Sequence, residues 1–371
     1  MPEPPGRRPR PLLVLLSLLV FCGAPSGFAT GAPAAESTRI PFTQRYHAVQ
    51  SGGVVRAGNA SISCRTTQSP RVSPCATVRA GADGVNGDFD MFYTDEDDDP
   101  NTYNSSRAAL VLPRNAQVTY ARLYWGGNLR VGEQKPAKDN GRVLIAEEGG
   151  QYKEVLADTE IGHNDADTFD SFQASADITP LVRGTGSGLY TVAQINVAMG
   201  QSDIGAWGGW TMVVAYENST EPVRHISIWD GFETVDGQRK SLEVSLSGLR
   251  IPAGASGRAG FVAYDGDRGS TGDTVNVRTG DGKSFGLSGD MNPADDLMNS
   301  SIVGPDGVMN RKPAHLNTLG YDSDVFDIAS VFAPDAASEP SSEASELTFR
   351  FTAEDLGYTL GVLFVQADTR R

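Results

Sequence analysis

The feature that most constrains this chain is a series of short segments in which apolar and polar residues alternate. Residues 241–249 read SLEVSLSGL, where leucine and valine alternate with glutamate and serine. Because successive side chains of a strand point to opposite faces, this segment predicts a strand with one buried and one solvated face. Such a face must be covered by a second sheet or by closure into a barrel.

Similar segments, rich in valine, isoleucine, threonine or aromatic residues and bounded by turn residues, recur along the chain. They are 117–125, 189–197, 210–217, 223–235, 258–264, 274–279, 347–352 and 358–367. Gly126 and Gly127 are expected to end the first of these strands. Long helical patterns are nearly absent, and short helical turns are expected at 178–182 and around 324–328. The chain is therefore predicted to be all-β, with one or two packed β-sandwich units of jelly-roll type.

The first 32 residues have the pattern of a secretory signal peptide rather than of a folded segment. Three arginines precede an almost wholly apolar run at 12–22, and small residues dominate 23–35. The apolar run is shorter than the roughly 20 residues that a spanning helix needs. Cleavage is expected after Ala29 or Ala32, which predicts a secreted protein with no integral membrane span after cleavage.

The charge balance excludes two classes of partner. The formal net charge is −15, and residues 1–32 carry three arginines and one glutamate, so the rest of the chain is near −17. An acidic surface repels nucleic acid and anionic lipid, so neither is an expected partner.

Three cysteines are present, and Cys22 is removed with the leader. An even pair in an exported protein predicts a disulfide between Cys64 and Cys75. We therefore assign 33–84 to an N-terminal segment with a disulfide loop. Residues 85–220 and 221–371 are expected to be two sandwich halves or domains, with a boundary or a hairpin at 217–222. A loop at 334–346 is expected to separate two C-terminal strands.

Five segments together resemble a family of uncharacterised bacterial proteins of actinobacterial type, secreted or cell-surface and of β-sandwich architecture. They are TYARLYWGGN at 119–128, ADITPLVRGTGSGLYTVAQI at 176–195, GGWTMVVAYENSTEPVRHISIWDGFETV at 208–235, AYDGDRGSTGDTVNV at 263–277 and NTLGYDSDVFDI at 317–328. In larger members this region precedes repeated surface domains. The resemblance implies an adhesin-like or structural role and assigns no activity.

Two acidic groups are candidate calcium sites, since Ca²⁺ takes six to eight oxygen ligands and is abundant outside cells. The first places seven carboxylates within twelve positions, and its candidate ligands are Asp88, Asp90, Asp95, Asp97, Asp98 and Asp99. The second lies in YDGDRGSTGD, with candidate ligands Asp265, Asp267 and Asp273. A solvated acidic loop and a simple β-turn are the respective alternatives. Two further groups lie at 290–296 and 322–327.

Other chemistry-bearing residues are sparse. Four histidines are scattered along the chain, and His163, beside two aspartates, is a candidate for a transition-metal ligand or for an ordinary surface residue. No G-x-S-x-G motif is present. Of the four tryptophans, those in strand patterns are expected in the core. Trp207, in a glycine-rich loop, is the expected exposed, ligand-facing aromatic residue.

These observations favour a secreted or surface-associated module that serves in interaction or structure and has no catalytic activity. It is expected to be adhesin-like, and calcium is its one possible cofactor. Its expected partner is a cell-envelope glycan or a surface protein, bound by loops on a rigid sandwich. The alternative function is that of an extracellular hydrolase acting on polysaccharide, for which a groove with tryptophan and paired carboxylates would argue. A structural envelope component is the third reading.

Overall fold

The computed structural model describes residues 1–2, 34–67, 71–334, 343–354 and 357–370. Residues 33–371 form one compact unit. The predicted signal peptide lies outside the described residues apart from Met1 and Pro2, as does most of the predicted loop at 334–346. Within the described ranges, no helix has both the length and the apolar character needed to cross a membrane.

Strands make up most of the described chain. They are β1 (Glu36–Ser37), β2 (Ile40–Ala60), β3 (Ile62–Thr67), β4 (Phe89–Tyr93), β5 (Ser105–Leu110), β6 (Gln117–Asn128), β7 (Arg142–Glu147), β8 (Lys153–Leu156), β9 (Ile161–Asp165), β10 (Asp170–Asp177), β11 (Gly188–Ala193), β12 (Gly208–Glu217), β13 (Val223–Val235), β14 (Ser241–Pro252), β15 (Gly257–Tyr264), β16 (Thr274–Thr279), β17 (Ser284–Gly286), β18 (Val303–Gly304), β19 (Gly307–Val308), β20 (Arg311–Lys312), β21 (Tyr321–Asp327), β22 (Glu343–Thr352) and β23 (Tyr358–Asp368). The helices are α1 (Cys75–Arg79) and α2 (Thr179–Thr185), with 3₁₀ turns at Asn86–Asp88, Ala137–Asp139 and Ala329–Phe332.

The strands form three main sheets. Ten of them join edge to edge in the order β1-β9-β10-β6-β12-β2-β13-β23-β15-β21. A five-stranded sheet has the order β20-β5-β11-β7-β8, and a four-stranded sheet has the order β14-β22-β16-β17. The pair β1–β9 is parallel, whereas the ladders that build the rest of these sheets are antiparallel. The predicted all-β class is confirmed.

The long strand β2 belongs to both halves of the ten-stranded sheet. Its residues 52–60 pair with β12, and its residues 40–51 pair with β13. The change of partner falls at Gly52, whose φ of +141° lies in the region that favours glycine. A Cβ there would also lie 2.1 Å from the carbonyl oxygen of Tyr216. We call the part around β6, β10 and β12 the first inner sheet, and the part around β13, β15, β21 and β23 the second.

The two inner sheets face each other, because residues of strands that are not ladder neighbours touch across the middle of the molecule. Gln173 of β10 donates from Nε2 to the carbonyl oxygen of Gly231 in β13, at 2.9 Å. Tyr264 of β15 donates its hydroxyl hydrogen to Oε1 of Gln173 at 3.0 Å. The hydroxyls of Thr211 in β12 and Tyr321 in β21 lie 2.8 Å apart.

Each inner sheet is covered on its other face by an outer sheet. Trp125 of β6 and Trp210 of β12 are fully buried in a core that they share with residues of β5, β7 and β11. Phe261 of β15 packs in a second core with Phe349 and Phe351 of β22. The molecule therefore has four layers, and its two sandwiches share β2. The expected core positions of Trp125 and Trp210 are confirmed.

Several local expectations are wrong. Strand β6 does not stop at Gly126 and Gly127 but continues to Asn128, since the missing side chain at Gly126 leaves room for the ring of Tyr264. The helical turn expected around 324–328 is the strand β21, which pairs with β15, and the turn follows at Ala329–Phe332. The assignment of 33–84 as an N-terminal segment with a disulfide loop stays a prediction; this segment contains β2. The helical turn expected at 178–182 is confirmed as part of α2.

The disulfide between Cys64 and Cys75 is present, as predicted. It joins β3 to α1 over a sequence separation of 11 residues. Cys64 is fully buried in a small core with Val78 and Phe89. The bridge therefore holds α1 and the segment after it against the sheets.

Replacing both cysteines, as Cys64→Ser with Cys75→Ser, should lower the free energy of unfolding. The chain-entropy cost that a bridge removes from the unfolded state is about 2–3 kcal/mol for a loop of this length. Urea titrations of residues 33–371 measure the change. The double variant should also lose the wild type's sensitivity to reducing agent; equal stability of the oxidised wild type and the variant would contradict the prediction.

A histidine ties the first strand to its neighbour. Nδ1 of His163 in β9 lies 2.7 Å from Oε2 of Glu36 in β1, and its Nε2 lies 2.6 Å from Oδ1 of Asp170. Arg130 approaches Asp170 to 3.9 Å. Burial by itself lowers the pKa of His163, but the hydrogen bonds to Asp170 and Glu36 outweigh it and raise the pKa above its usual value. His163 is therefore an ion-pair partner in this structure.

The stability that His163 contributes should depend on pH. Since its pKa is raised on folding, the contribution is fully present below the unfolded pKa of about 6.5 and is lost as the pH rises through the folded value. The difference in unfolding free energy between the wild type and His163→Gln should therefore shrink from pH 5.5 to pH 9, as followed by urea titration. Glu36→Gln should reduce the effect only in part, because Asp170 remains. A difference that does not change with pH would refute this role.

Candidate functional site

A cleft opens where three strands of the second inner sheet begin or end. Val235, the last residue of β13, pairs with Tyr358, the first residue of β23. Tyr264, the last residue of β15, pairs with Thr359. In an antiparallel pair, the last residue of one strand lies beside the first residue of its neighbour. The residues that follow β13 and β15 therefore lie at one edge of the sheet, beside the start of β23. Asp236 and Asp265 are those residues.

The cleft has a volume of about 250 Å³. Its lining includes carboxylates, hydroxyls, an amide and aromatic rings. The residues that supply them are Asn86, Thr168, Phe169, Asp203, Trp207, Thr234, Asp236, Asp265, Asp267, Tyr358 and Thr359. No lysine or arginine is among the described residues that line it. The cleft is thus rich in hydrogen-bond acceptors and carries negative charge only.

Asn86 fixes two of the carboxylates that line the cleft. Its Nδ2 donates to Oδ1 of Asp265 at 3.0 Å, and its backbone N–H donates to Oδ1 of Asp267 at 3.3 Å. Asn86 is itself buried between two glycines, since a Cβ at Gly205 or Gly320 would lie within 2.7 Å of its side chain. The positions of the carboxylates are therefore determined by the packing of Asn86.

Strained backbone is concentrated behind the cleft. Asp265, Ser300 and Leu319 have φ values of +68°, +58° and +58°, which side-chain-bearing residues rarely adopt. Hydrogen bonds hold this conformation: the backbone N–H of Gly320 donates to Oγ of Ser300 at 2.6 Å, and that hydroxyl donates to the carbonyl oxygen of Gly266 at 2.5 Å. Such strain is typical of functional sites, where surrounding contacts maintain it.

Three further buried carboxylates lie near Asp265 and Asp267. Asp273, Asp296 and Asp322 are 5%, 6% and 0% exposed, respectively. Oδ1 of Asp322 accepts a hydrogen bond from the backbone N–H of Ser301 at 3.0 Å. Its Oδ2, like Oδ1 of Asp296, is buried without a hydrogen-bond partner among the described residues.

Burial and mutual repulsion raise the pKa values of these acids. Burial, with the neighbouring Asp267, holds the pKa of Asp265 well above its usual range. Burial raises the pKa of Asp267 to about 7, with Asp88 and Asp296 adding to the effect against a hydrogen bond from Asn86. Burial, with Asp296 and Asp267, raises the pKa of Asp273 to about 8. At neutral pH, part of this group therefore carries protons.

Trp207 is not exposed, contrary to expectation. It is 1% exposed, and its ring centroid lies 5.5 Å from that of Tyr264. The glycine-rich loop folds back onto the sheet, because Gly320 leaves space for the indole. Trp207 still forms part of the cleft wall, and its Nε1–H has no hydrogen-bond partner among the described residues. Whether it faces a ligand stays a prediction.

The first acidic group is divided between two places. Asp88 lies close enough to Asp267 to raise its pKa, and Asp90 follows in β4. Residues 95–99 form a loop tied to the protein: Oδ1 of Asp95 accepts from the hydroxyl of Ser105 at 2.9 Å, and Oδ1 of Asp97 from that of Thr102 at 2.9 Å. The exposed Asp98 and the half-buried Asp99 complete this loop. The six aspartates thus do not form a single cluster.

In contrast, the structure places Asp265, Asp267 and Asp273 in one region, together with Asp296 and Asp322 from the two further acidic groups. Across the described ranges, no three or more His, Cys, Asp or Glu side chains are arranged so that they could hold a metal ion. Calcium at the predicted positions stays a prediction.

The sequence did not identify Asn86 and Tyr358 as residues of the cleft, because neither residue stands in a motif and both are positioned by distant strands.

No protein-family model and no curated protein sequence matches this chain. Among solved structures it is similar to the major capsid protein P2 from bacteriophage PM2, with 10% identity over 85% of this chain and 99% of that chain and a TM-score of 0.20. A peptide-N(4)-(N-acetyl-β-D-glucosaminyl) asparagine amidase matches with 8% identity, coverages of 86% and 97%, and a TM-score of 0.19. The CBM22-1–CBM22-2 tandem domain of Xyn10C from Paenibacillus barcinonensis matches with 9% identity, coverages of 91% and 100%, and a TM-score of 0.21. At these identities and TM-scores, no ligand or activity is transferred to this chain.

The packing of the cleft wall can be tested with two glycines that share a left-handed backbone. Gly320 and Gly307 have φ values of +99° and +91°. A Cβ at Gly320 would lie 2.5 Å from Cβ of Trp207, whereas a Cβ at Gly307 meets nothing within 4 Å. Gly307→Ala should therefore cost only the backbone strain of about 1–2 kcal/mol. Gly320→Ala should cost a further 1–3 kcal/mol or so from overpacking and should change tryptophan fluorescence.

Urea titration followed by fluorescence measures both quantities on each variant. Equal destabilisation by the two substitutions, with unchanged emission from Gly320→Ala, would show that Gly320 does not support Trp207.

Proposed function

We propose that this chain is a secreted or surface-associated β-sandwich module that binds a hydroxyl-rich ligand, such as a cell-envelope glycan, in the cleft. The observation that carries the proposal is the composition of the cleft lining, in which carboxylate and hydroxyl acceptors stand beside aromatic rings without any lysine or arginine. Pockets of this kind select ligands by the few polar groups that they place against an apolar wall.

The chemistry of the lining favours a sugar over other small molecules. Sugar hydroxyls donate hydrogen bonds to acceptors such as Asp203 and Asp236, which line the cleft. Aromatic side chains such as Phe169 and Tyr358 supply apolar contact area. Phosphates and other anions are disfavoured, because the cleft and the chain as a whole are negative.

Two observations support an extracellular location. The first 32 residues have the composition of a signal peptide. The disulfide between Cys64 and Cys75 is of a kind that persists in oxidising compartments. The resemblance to secreted bacterial surface proteins agrees with both, and three of its five segments, 208–235, 263–277 and 317–328, contribute residues to the cleft or to the backbone behind it.

A second candidate function, hydrolysis of a polysaccharide, is favoured by the raised pKa values. A general acid must be protonated near neutral pH, and the raised pKa values of Asp265 and Asp267 meet that condition. In such a reaction one carboxylic acid protonates the leaving oxygen of the glycosidic bond. A second carboxylate, for which Asp203 and Asp236 are candidates in the same cleft, attacks the sugar or activates a water.

Binding should be measured first, with an array of bacterial cell-envelope glycans and then by calorimetry on residues 33–371. Asp267→Asn should weaken binding of the selected glycan by about tenfold, or roughly 1.4 kcal/mol, since it replaces one acceptor oxygen of the cleft lining with an NH2 donor. Asp98→Asn, in the exposed part of the acidic loop, is the matched control and should bind like the wild type.

A reducing-end assay on the same glycan separates the two functions. Binding without released product supports the non-catalytic module. Release of product by the wild type, abolished in Asp267→Asn, would instead establish the hydrolase. Equal binding by Asp267→Asn and the wild type would remove the cleft from either function.

A further inference from the structure

The turn behind the cleft brings two oxygen atoms together around Gly266. A Cβ at this position would lie 2.2 Å from the carbonyl oxygen of Met298 and 2.7 Å from Oδ2 of Asp322. The two oxygens are therefore less than 5 Å apart. Asp322 is fully buried, and this Oδ2 has no hydrogen-bond partner among the described residues. A buried carboxylate oxygen without a hydrogen-bond donor among the described residues thus lies near a second acceptor.

Asp296 presents a second unpartnered oxygen to the same region. Its Oδ2 accepts a hydrogen bond from the backbone N–H of Gly269 at 2.9 Å, whereas its Oδ1 is buried without a partner. Burial and the neighbouring Asp324 raise the pKa of Asp322, and Asp296 adds to the effect. Asp296 forms a backbone bridge with Asp273 and also raises the pKa of Asp273. Asp296 is thus the member of the group that interacts with the others.

The positive charge nearby compensates this group only in part, since burial and neighbouring carboxylates still raise the pKa values of Asp296 and Asp322. Arg268 interacts electrostatically with both Asp296 and Asp322. Its Nη2, however, donates to the carbonyl oxygen of Leu316 at 3.2 Å. Leaving a buried charged oxygen unpaired is strongly destabilising, so a native structure either protonates it or supplies a cation.

We propose that Asp296 and Asp322, with the carbonyl oxygen of Met298, bind a hard divalent cation of the Ca²⁺ type behind the cleft. Ca²⁺ completes a shell of six to eight oxygens from carboxylates, backbone carbonyls and water. No group of three or more His, Cys, Asp or Glu side chains among the described residues could hold a metal ion, so water must complete the shell around the two carboxylates and the carbonyl oxygen. The site would hold the 265–267 turn in place, and it does not depend on whether the cleft binds a glycan.

The test uses residues 33–371 freed of metal with chelator and then titrated with CaCl₂ or MgCl₂ while thermal unfolding is recorded. Extracellular calcium modules bind with Kd values of about 10⁻⁴–10⁻³ M, so the titration should extend to about 10 mM. The melting midpoint of the wild type should rise with Ca²⁺ concentration, because the ion binds the folded state only. Mg²⁺ should act more weakly, since it demands a smaller and more regular oxygen shell.

Asp296→Asn should weaken the apparent Ca²⁺ affinity at least about tenfold, since one charged ligand is lost. Asp98→Asn should keep the wild-type response. A response that survives Asp296→Asn, or that is lost in Asp98→Asn, would place the ion elsewhere and overturn the proposal. Identical wild-type midpoints with calcium and with chelator would do the same.

A second measurement covers the case in which Asp296→Asn fails to fold. Calorimetric titration of the metal-free wild type with CaCl₂ reports binding directly and requires no variant. One bound ion per chain, displaced neither by Na⁺ nor by Mg²⁺ at equal concentration, is expected. The absence of binding heat together with no protection by Ca²⁺ of the 265–267 turn in hydrogen exchange would reject the site.

Discussion

Strand β2 is the element on which the other layers depend, because it is shared by both inner sheets. It pairs with β12 along residues 52–60 and with β13 along residues 40–51. Its change of partner at Gly52 turns one ten-stranded ladder into two sheets that face each other. Strands β12, β13 and β23 are then mostly buried along both faces, whereas the first half of β2 keeps exposed residues.

The buried middle interface includes charged groups as well as apolar ones. Asp230 of β13 accepts hydrogen bonds from Nε of Arg45 at 2.8 Å and from Nη2 at 3.0 Å, and the hydroxyl of Tyr124 donates to it at 3.1 Å. Arg122 of β6 approaches the same carboxylate to 3.8 Å. Such a satisfied network adds little net stability compared with apolar packing, but breaking one member is costly. It therefore disfavours other registers between the facing sheets.

The same stacking creates the cleft and the acids behind it. Asp236 and Asp265 follow strands that end at one edge of the second inner sheet, opposite the start of β23. Asn86 and Asp296 lie in segments from other parts of the chain, and Asp322 lies in β21. Hydrogen bonds from the backbone N–H groups of Gly269 and Ser301 hold Asp296 and Asp322 there. Repulsion among them is tolerated because the rigid sheets on either side fix their positions. The strained φ values of Asp265 and Ser300 have the same origin.

The amino-acid sequence by itself determined the local elements. Alternation predicted β14 from Leu242 to Leu249, and cysteine parity predicted the bridge between Cys64 and Cys75. These features rest on neighbours along the chain or on counting, so they need no knowledge of the fold. The sequence also showed that Asp265, Asp267 and Asp273 lie close together along the chain.

Only the tertiary structure decided how the elements combine. That β2 spans two sheets, that β6 continues through Gly126, and that Trp207 is buried all depend on contacts with residues more than fifty positions away. The acidic groups differ in this respect: Asp97 bonds to Thr102, five positions away, whereas Asp267 bonds to Asn86, 181 positions away. A pattern of alternating side chains specifies which face of a strand is buried. It does not specify which sheet packs against that face, because any apolar face of similar shape would cover it equally well.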